Sequence, residues 1–177
     1  MHALLRFVVF CLLITSLAFA SCKSKKNAVK NPAPKEEAKR KDYSEISKRL
    51  NFEVTRGDNI RLYSYVADWL GTRHKTGGCD KSGIDCSCFI RMVSENVYHA
   101  KLARTAADMQ KQVKNIDKDE LHEGDLVFFN IKSSKPSHVG IYLKKGWFAH
   151  VSTSKGVMIN NLSEAYYDKY FSGAGRN

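Results

Sequence analysis

The chain has 177 residues, five Cys, three Pro and a formal net charge of +11. That length accommodates one domain with a real core plus appendages, and a hydrophobic content of 43% excludes wholesale disorder. No apolar run reaches the roughly 18 residues of a membrane-spanning helix, which excludes a polytopic membrane protein.

The sequence pI near 9.5 invites a nucleic-acid reading, but the charge is unevenly placed. Residues 1–41 hold 9 of the 29 basic residues and 2 of the 18 acidic ones. The rest is only mildly basic and its charges are interspersed, so it lacks the clustered stripe that nucleic acid requires, and no nucleic-acid partner is expected.

In chain order, residues 1–21 read as an export signal. Arg6 precedes the apolar stretch Phe7 to Leu17, which has the length of a signal-peptide core, and small residues follow. Two cleavages compete. Ala18-Phe19-Ala20 fits an A-x-A site, and Phe19-Ala20-Ser21-Cys22 resembles a lipobox, with Phe19 where Leu is usual. The solvated Lys23-Ser24-Lys25-Lys26 directly after the Cys favours lipidation at Cys22. Either way the mature protein leaves the cytoplasm, and a lipid anchor at Cys22 would hold it to a membrane. Residues 22–41 are Lys-rich, with Asn31-Pro32-Ala33-Pro34 in the middle, and read as a flexible linker. Such a linker reaches ~25 Å on average and ~65 Å when stretched. Residues 42–57 lead into a domain covering 58–177.

Within the domain, Asp58 or Asn59 caps a predicted helix that runs to about Leu70. Ile60, Tyr63, Val66, Ala67 and Leu70 fall at core spacing. A loop, 71–78, follows. Phe89, Ile90, Val93 and Val97 mark a second helix that starts near Cys86, and Arg104 to Val113 predicts a short one with Ala107 and Met109 inward. Strands are predicted at Leu126–Phe129, His138–Leu143, Trp147–Ser152 and Val157–Asn160. Helices first, then meandering antiparallel strands, read as α+β.

Cys86 has Gly83 just before it and a helix just after it. A thiol at a helix start meets unpaired N–H groups and the positive end of the macrodipole, which favour the thiolate. Asp85 occupies the N-cap position. The loop Lys144-Lys145-Gly146 suggests a type I turn with a G1 bulge. Leu143 would then pair with Trp147, Tyr142 with Phe148, Gly140 with His150 and His138 with Ser152. That register puts His138 and His150 on one face as diagonal neighbours, with Gly140 leaving room for an imidazole. A two-residue loop would shift the register and separate them. One imidazole can take the thiol proton while the other orients it.

Gly77-Gly78, Gly83-Ile84-Asp85-Cys86-Ser87, Gly124-Asp125-Leu126-Val127-Phe128-Phe129, Ser137-His138-Val139-Gly140-Ile141-Tyr142-Leu143 and Ala149-His150 together resemble the NlpC/P60 cysteine peptidases. The likeness runs from about residue 58 to the C-terminus, toward the small murein endopeptidase lipoproteins of Gram-negative bacteria. It implies a circularly permuted papain-like fold, N-terminal helices packed on an antiparallel sheet, and hydrolysis of amide bonds in peptidoglycan stem peptides. It further implies Cys86 as nucleophile, His138 as general base and His150 as the orienting third residue. Asp85 and Ser87 match positions that in some relatives bind the free amino group of a trimmed stem peptide. No metal or other cofactor is required. A monomer anchored to the outer membrane and facing the periplasm is expected.

Two departures stand out. His74 stands where the family's loop usually carries a Tyr at the site, and Cys88 replaces a Gly. Cys79 and Cys88 can form a disulfide, pair with Cys86 or stay free. Three rivals accompany this reading: a zinc site using His74, Cys79, Cys86 and Cys88, a non-catalytic peptidoglycan-binding module, and an amidase or acyltransferase on the same fold.

Overall fold

The computed structural model describes residues 34–177, with side chains from residue 42 onward. The export signal and Cys22 lie outside the described residues. The first helix, α1, spans Pro34–Leu50 and so begins inside the segment whose composition reads as linker. Pro34 sits at the first helical position, where its missing N–H has no partner to lose. The Lys, Glu, Ala and Arg that follow are strong helix formers. Tyr43, Ile46 and Leu50 near its end pack on the core. Arg49 ties that end down by donating to the Ala67 carbonyl at 2.5 Å.

Helix α2 spans Ile60–Trp69 and α3 spans Cys86–Tyr98. Asn59 is the cap of α2, its side-chain oxygen accepting from the Arg61 and Leu62 amides. Asp58 instead accepts from Thr55 through its carboxylate and pairs with Lys144 at 2.6 Å. Helix α4, Ala106–Gln112, is capped by Thr105 and buries Ala106 and Met109. Ala107 is only half-buried, a correction to the predicted inward face. The helix starts later than expected, after the Thr105 cap, and its inward face is set by Ala106 and Met109, three residues apart.

The strands are β1 Cys79–Asp80, β2 Gly83–Ile84, β3 Lys114–Ile116, β4 Leu126–Phe129, β5 His138–Lys144, β6 Trp147–Ser152, β7 Gly156–Asn161 and β8 Phe171–Arg176. Helix α5, Ala165–Tyr170, precedes β8. β1 and β2 form a small ribbon, and the other six form an antiparallel sheet in the order β3-β8-β4-β5-β6-β7. This is the α+β arrangement expected, with helices packed on an antiparallel sheet. Alternation along the strands sends Leu126, Phe128, Val139, Ile141, Ala149 and Val151 into the core shared with the helices. Val127, Phe129, Phe148, Leu162, Tyr167 and Ala174 form a second cluster.

The β5–β6 hairpin differs from expectation at its tip. Its ladder pairs Ile141 with Ala149, Tyr142 with Phe148 and Lys144 with Trp147, with a register shift between Tyr142 and Lys144. The turn is therefore two residues, Lys145 and Gly146, with φ of 51° and 83°. Positive φ at both positions is the type I′ geometry, whose twist matches the strands. Taken alone, such a turn would put the two His residues on opposite faces. Leu143 is the extra residue of a bulge, and it restores the register that Tyr142 and Phe148 share. Gly140 also has a different neighbour from the one expected: a Cβ there would lie 2.6 Å from the Phe148 ring. The ring of Phe148, stacked on His150 with centroids 5.1 Å apart, fills the space over Gly140.

Candidate active site

Cys86 is the first residue of α3. Asp85 caps that helix, its Oδ1 accepting from the Cys88 amide at 2.7 Å. The loop before it is tied on both flanks. Gly71 donates to the Val157 carbonyl and Val157 to the Thr72 carbonyl, while Ile84 donates to Arg73 and Lys75 to Ile84. Gly78 and Gly83 approach so closely that a Cβ on Gly78 would lie 2.3 Å from the Gly83 carbonyl oxygen. These ties position His74, which is half-buried beside Ile84 and close enough for its charge to be felt at His138.

Cys79 and Cys88 form a disulfide, with Cα atoms 5.5 Å apart. Cys86 is left as the free thiol among the described residues. The four side chains that could have formed a zinc set are thereby not available together.

The β5–β6 ladder closes no further toward His138 than Ile141. Beyond it, the main-chain amide of Val139 faces the Cys86 sulfur, as do the amides of Cys86 and Ser87. These three donors lower the thiol pKa. Burial, the largest influence, raises it, and the Asp85 charge adds to the rise, so the net shift is upward. The thiolate expected from the helix start is therefore not the resting form: desolvation outweighs the amide dipoles.

Phe129, Phe148 and Tyr167 wall in the two imidazoles. His138 Nε2 and His150 Nδ1 lie 3.0 Å apart, with rings nearly perpendicular. Burial pushes the His138 pKa down to about 3, helped by the nearby His150 and His74. Burial also lowers that of His150, against its hydrogen bond to the accepting Asn160 Oδ1, which raises it. On its far side, His150 Nε2 is 2.8 Å from Asn160 Oδ1 and 3.1 Å from the Tyr167 hydroxyl.

Asp85 and Ser87 lie at one end of this arrangement. Arg104 clamps Asp85 with two hydrogen bonds, of 3.1 and 2.5 Å, and donates to Ser87 Oγ at 2.6 Å. The same carboxylate accepts from the Gly77 amide and from Ser87 Oγ. Its pKa is lowered because these donors outweigh the burial that opposes them. A substrate ammonium at Asp85 would have to displace Arg104. Arg104, Asn160, Glu164 and Tyr167 carry no motif that marks them as site residues in the sequence. Asn160 is legible in part, since a strand at 157–160 paired to 147–152 places alternate residues on the His150 face.

The sequence profile of the NlpC/P60 family matches residues 71–176. The chain belongs to the NlpC/P60 family. It is 38% identical over 169 residues to the probable endopeptidase NlpC of Escherichia coli, covering 94% of this chain and 98% of that protein. It is also 38% identical over 116 residues to the E. coli murein DD-endopeptidase MepS/murein LD-carboxypeptidase, covering 66% of this chain and 61% of the relative. The chain thus spans about three fifths of that relative's length. Among solved structures, an NlpC/P60 family protein from Bacillus cereus aligns with a TM-score of 0.60 at 26% identity, over 65% of this chain and 38% of that one. The NlpC/P60 match covers every residue of the site described above.

Proposed function

We propose that this protein is a cysteine peptidase that hydrolyses amide bonds in the stem peptides of peptidoglycan. The observation that carries the reading is the His138–His150 pair at 3.0 Å, in which His138 begins the strand whose Val139 amide faces the Cys86 sulfur. Membership of a family whose relatives include named murein endopeptidases supplies the substrate class.

In this mechanism Cys86 is the nucleophile and His138 the base. His138 Nδ1 takes the thiol proton as Sγ bonds to the amide carbon, and the carbonyl π electrons move to oxygen. The amides at the start of α3 stabilise that oxyanion. Collapse breaks the C–N bond, and His138 returns its proton to the leaving amine. Water, deprotonated by His138, then cleaves the thioester and restores the thiol. His150 holds the His138 ring in orientation. His74 reaches the site from the anchored loop and serves as a polar contact for substrate. Asp85 and Ser87 shape the same end through Arg104 rather than by meeting an ammonium directly.

Purified protein incubated with defined muropeptides should yield products whose masses correspond to one amide hydrolysed. Cys86→Ala should abolish them, and His138→Ala should reduce the rate by about 10²–10⁴-fold. Turnover surviving Cys86→Ala would overturn the mechanism. An unchanged mass balance would leave a binding module as the better reading.

Residues 1–21 are proposed as an export signal and Cys22 as the lipidated anchor, which places the domain in the cell envelope beside its polymer. Cells fed a fatty-acid analogue should label the wild type and not Cys22→Ala. No label on the wild type would eliminate the anchor.

A further inference from the structure

We propose that Glu164, acting through Asn160, sets the tautomers of His150 and His138 so that the free lone pair lies on His138 Nδ1, the atom assigned to take the Cys86 proton. The inference rests on the reading of Cys86 and His138 as nucleophile and base.

A carboxylate only accepts hydrogen bonds. The Glu164 oxygens lie 3.0 and 2.8 Å from Asn160 Nδ2, so the amide NH2 must face Glu164. Asn160 Oδ1 is thereby turned toward His150 Nε2, 2.8 Å away. An amide oxygen also only accepts, so Nε2 of His150 carries the hydrogen. A neutral imidazole holds one N–H, which leaves His150 Nδ1 with a lone pair. His138 Nε2, 3.0 Å from it, must then donate and carry the hydrogen of its own ring. Nδ1 of His138 is left as the free acceptor. Burial of His150 disfavours a second proton there. The Tyr167 hydroxyl can donate to Asn160 Oδ1 at 3.2 Å, reinforcing the same amide orientation. Glu164 is itself held by the Asn161 amide at 2.7 Å.

Reversing the Asn160 amide reverses every step. Nδ2 would donate to His150 Nε2, His150 Nδ1 would donate to His138 Nε2, and His138 Nδ1 would carry the hydrogen. Nothing could then take the thiol proton. An Asn amide distinguishes its two ends only through its partners. Glu164 is the partner that cannot act as a donor, so it is the residue that breaks the degeneracy. Asn160 and Glu164 are positioning residues, acting through His150.

The test is Glu164→Gln, which keeps the size and lets position 164 either donate or accept. In the wild type, ¹⁵N-edited NMR of the imidazoles should report Nε2–H for both His150 and His138. In the variant both rings should become mixtures, kcat should fall in proportion to the Nε2–H fraction that remains, by about twofold or more, and KM should stay within about twofold. The Tm should move by no more than about 2 °C, because the side chain is exposed. Combining Glu164→Gln with Asn160→Asp should recover most of kcat, since position 160 again offers His150 only oxygen. A wild-type His138 protonated at Nδ1 would overturn the inference. So would a Glu164→Gln variant with unchanged tautomers and kcat. A wild type inactive on muropeptides would instead refute the proposed function, and the tautomers would still be readable.

Discussion

Cys86 stands at a helix start, yet its thiol is pushed up, and the proposed base His138 is pushed down to about 3. Both shifts have the same leading cause, the loss of water around the group. Both directions favour the uncharged forms, so in the proposed mechanism the thiolate forms only as the proton passes to His138 during attack. A base whose pKa is depressed stays unprotonated as pH falls through the ordinary imidazole range. The kcat/KM profile should accordingly be flat from about pH 8 to about pH 5, without the acid limb near 6.5 that an ordinary imidazole would produce. Muropeptide kinetics across that range would check this. An acid limb with its midpoint between about 6 and 7 would mean that His138 titrates at its ordinary value.

At the scale of elements, the β5–β6 hairpin holds the imidazole pair. Its alignment depends on two compensating irregularities, a two-residue turn at Lys145-Gly146 and the Leu143 bulge. Gly140 is the tightest point. A Cβ would lie 2.6 Å from the Phe148 ring and 3.0 Å from the Ala149 carbonyl. Gly140→Ala should therefore destabilise the protein by about 1–3 kcal/mol, read as a lowered urea midpoint at unchanged m-value. It should also reduce turnover, because Phe148 stacks on His150. An unchanged midpoint would show that the ring shifts freely.

At the scale of the whole molecule, the Cys79–Cys88 disulfide joins β1 to the first turn of α3 and encloses Asp85 and Cys86. A loop of about ten residues closed this way contributes roughly 2–3 kcal/mol in the chain-entropy account. The paired change Cys79→Ser with Cys88→Ser should lower the Tm by several degrees. Unchanged melting, or a reductant that shifts the paired variant as much as the wild type, would contradict a structural disulfide. The thiol left over is then Cys86 alone among the described residues, which suits its proposed role as nucleophile. Residues 1–41 carry +7 of the +11 charge, from 9 basic and 2 acidic residues.

Much of the site could be read from local pattern. Cys86 at a helix start, Asp85 as its cap and two His residues on one face of a two-stranded hairpin follow from helix and strand periodicity over a few residues. The two strands and the helix that hold them were legible for the same reason. β8 was not, because Phe171–Arg176 is rich in Gly and Ser and carries little strand signal of its own. Its place beside β4 comes from the sheet's need to pair an otherwise open edge. The same holds for Arg104 on Asp85 and for Glu164 and Asn160 behind His150, which meet their partners only once distant segments pack. Residue type and spacing thus determined which groups could react. Their protonation states, tautomers and pairings were decided by burial and by neighbours far along the chain, because desolvation and hydrogen-bond direction are properties of the packed interior.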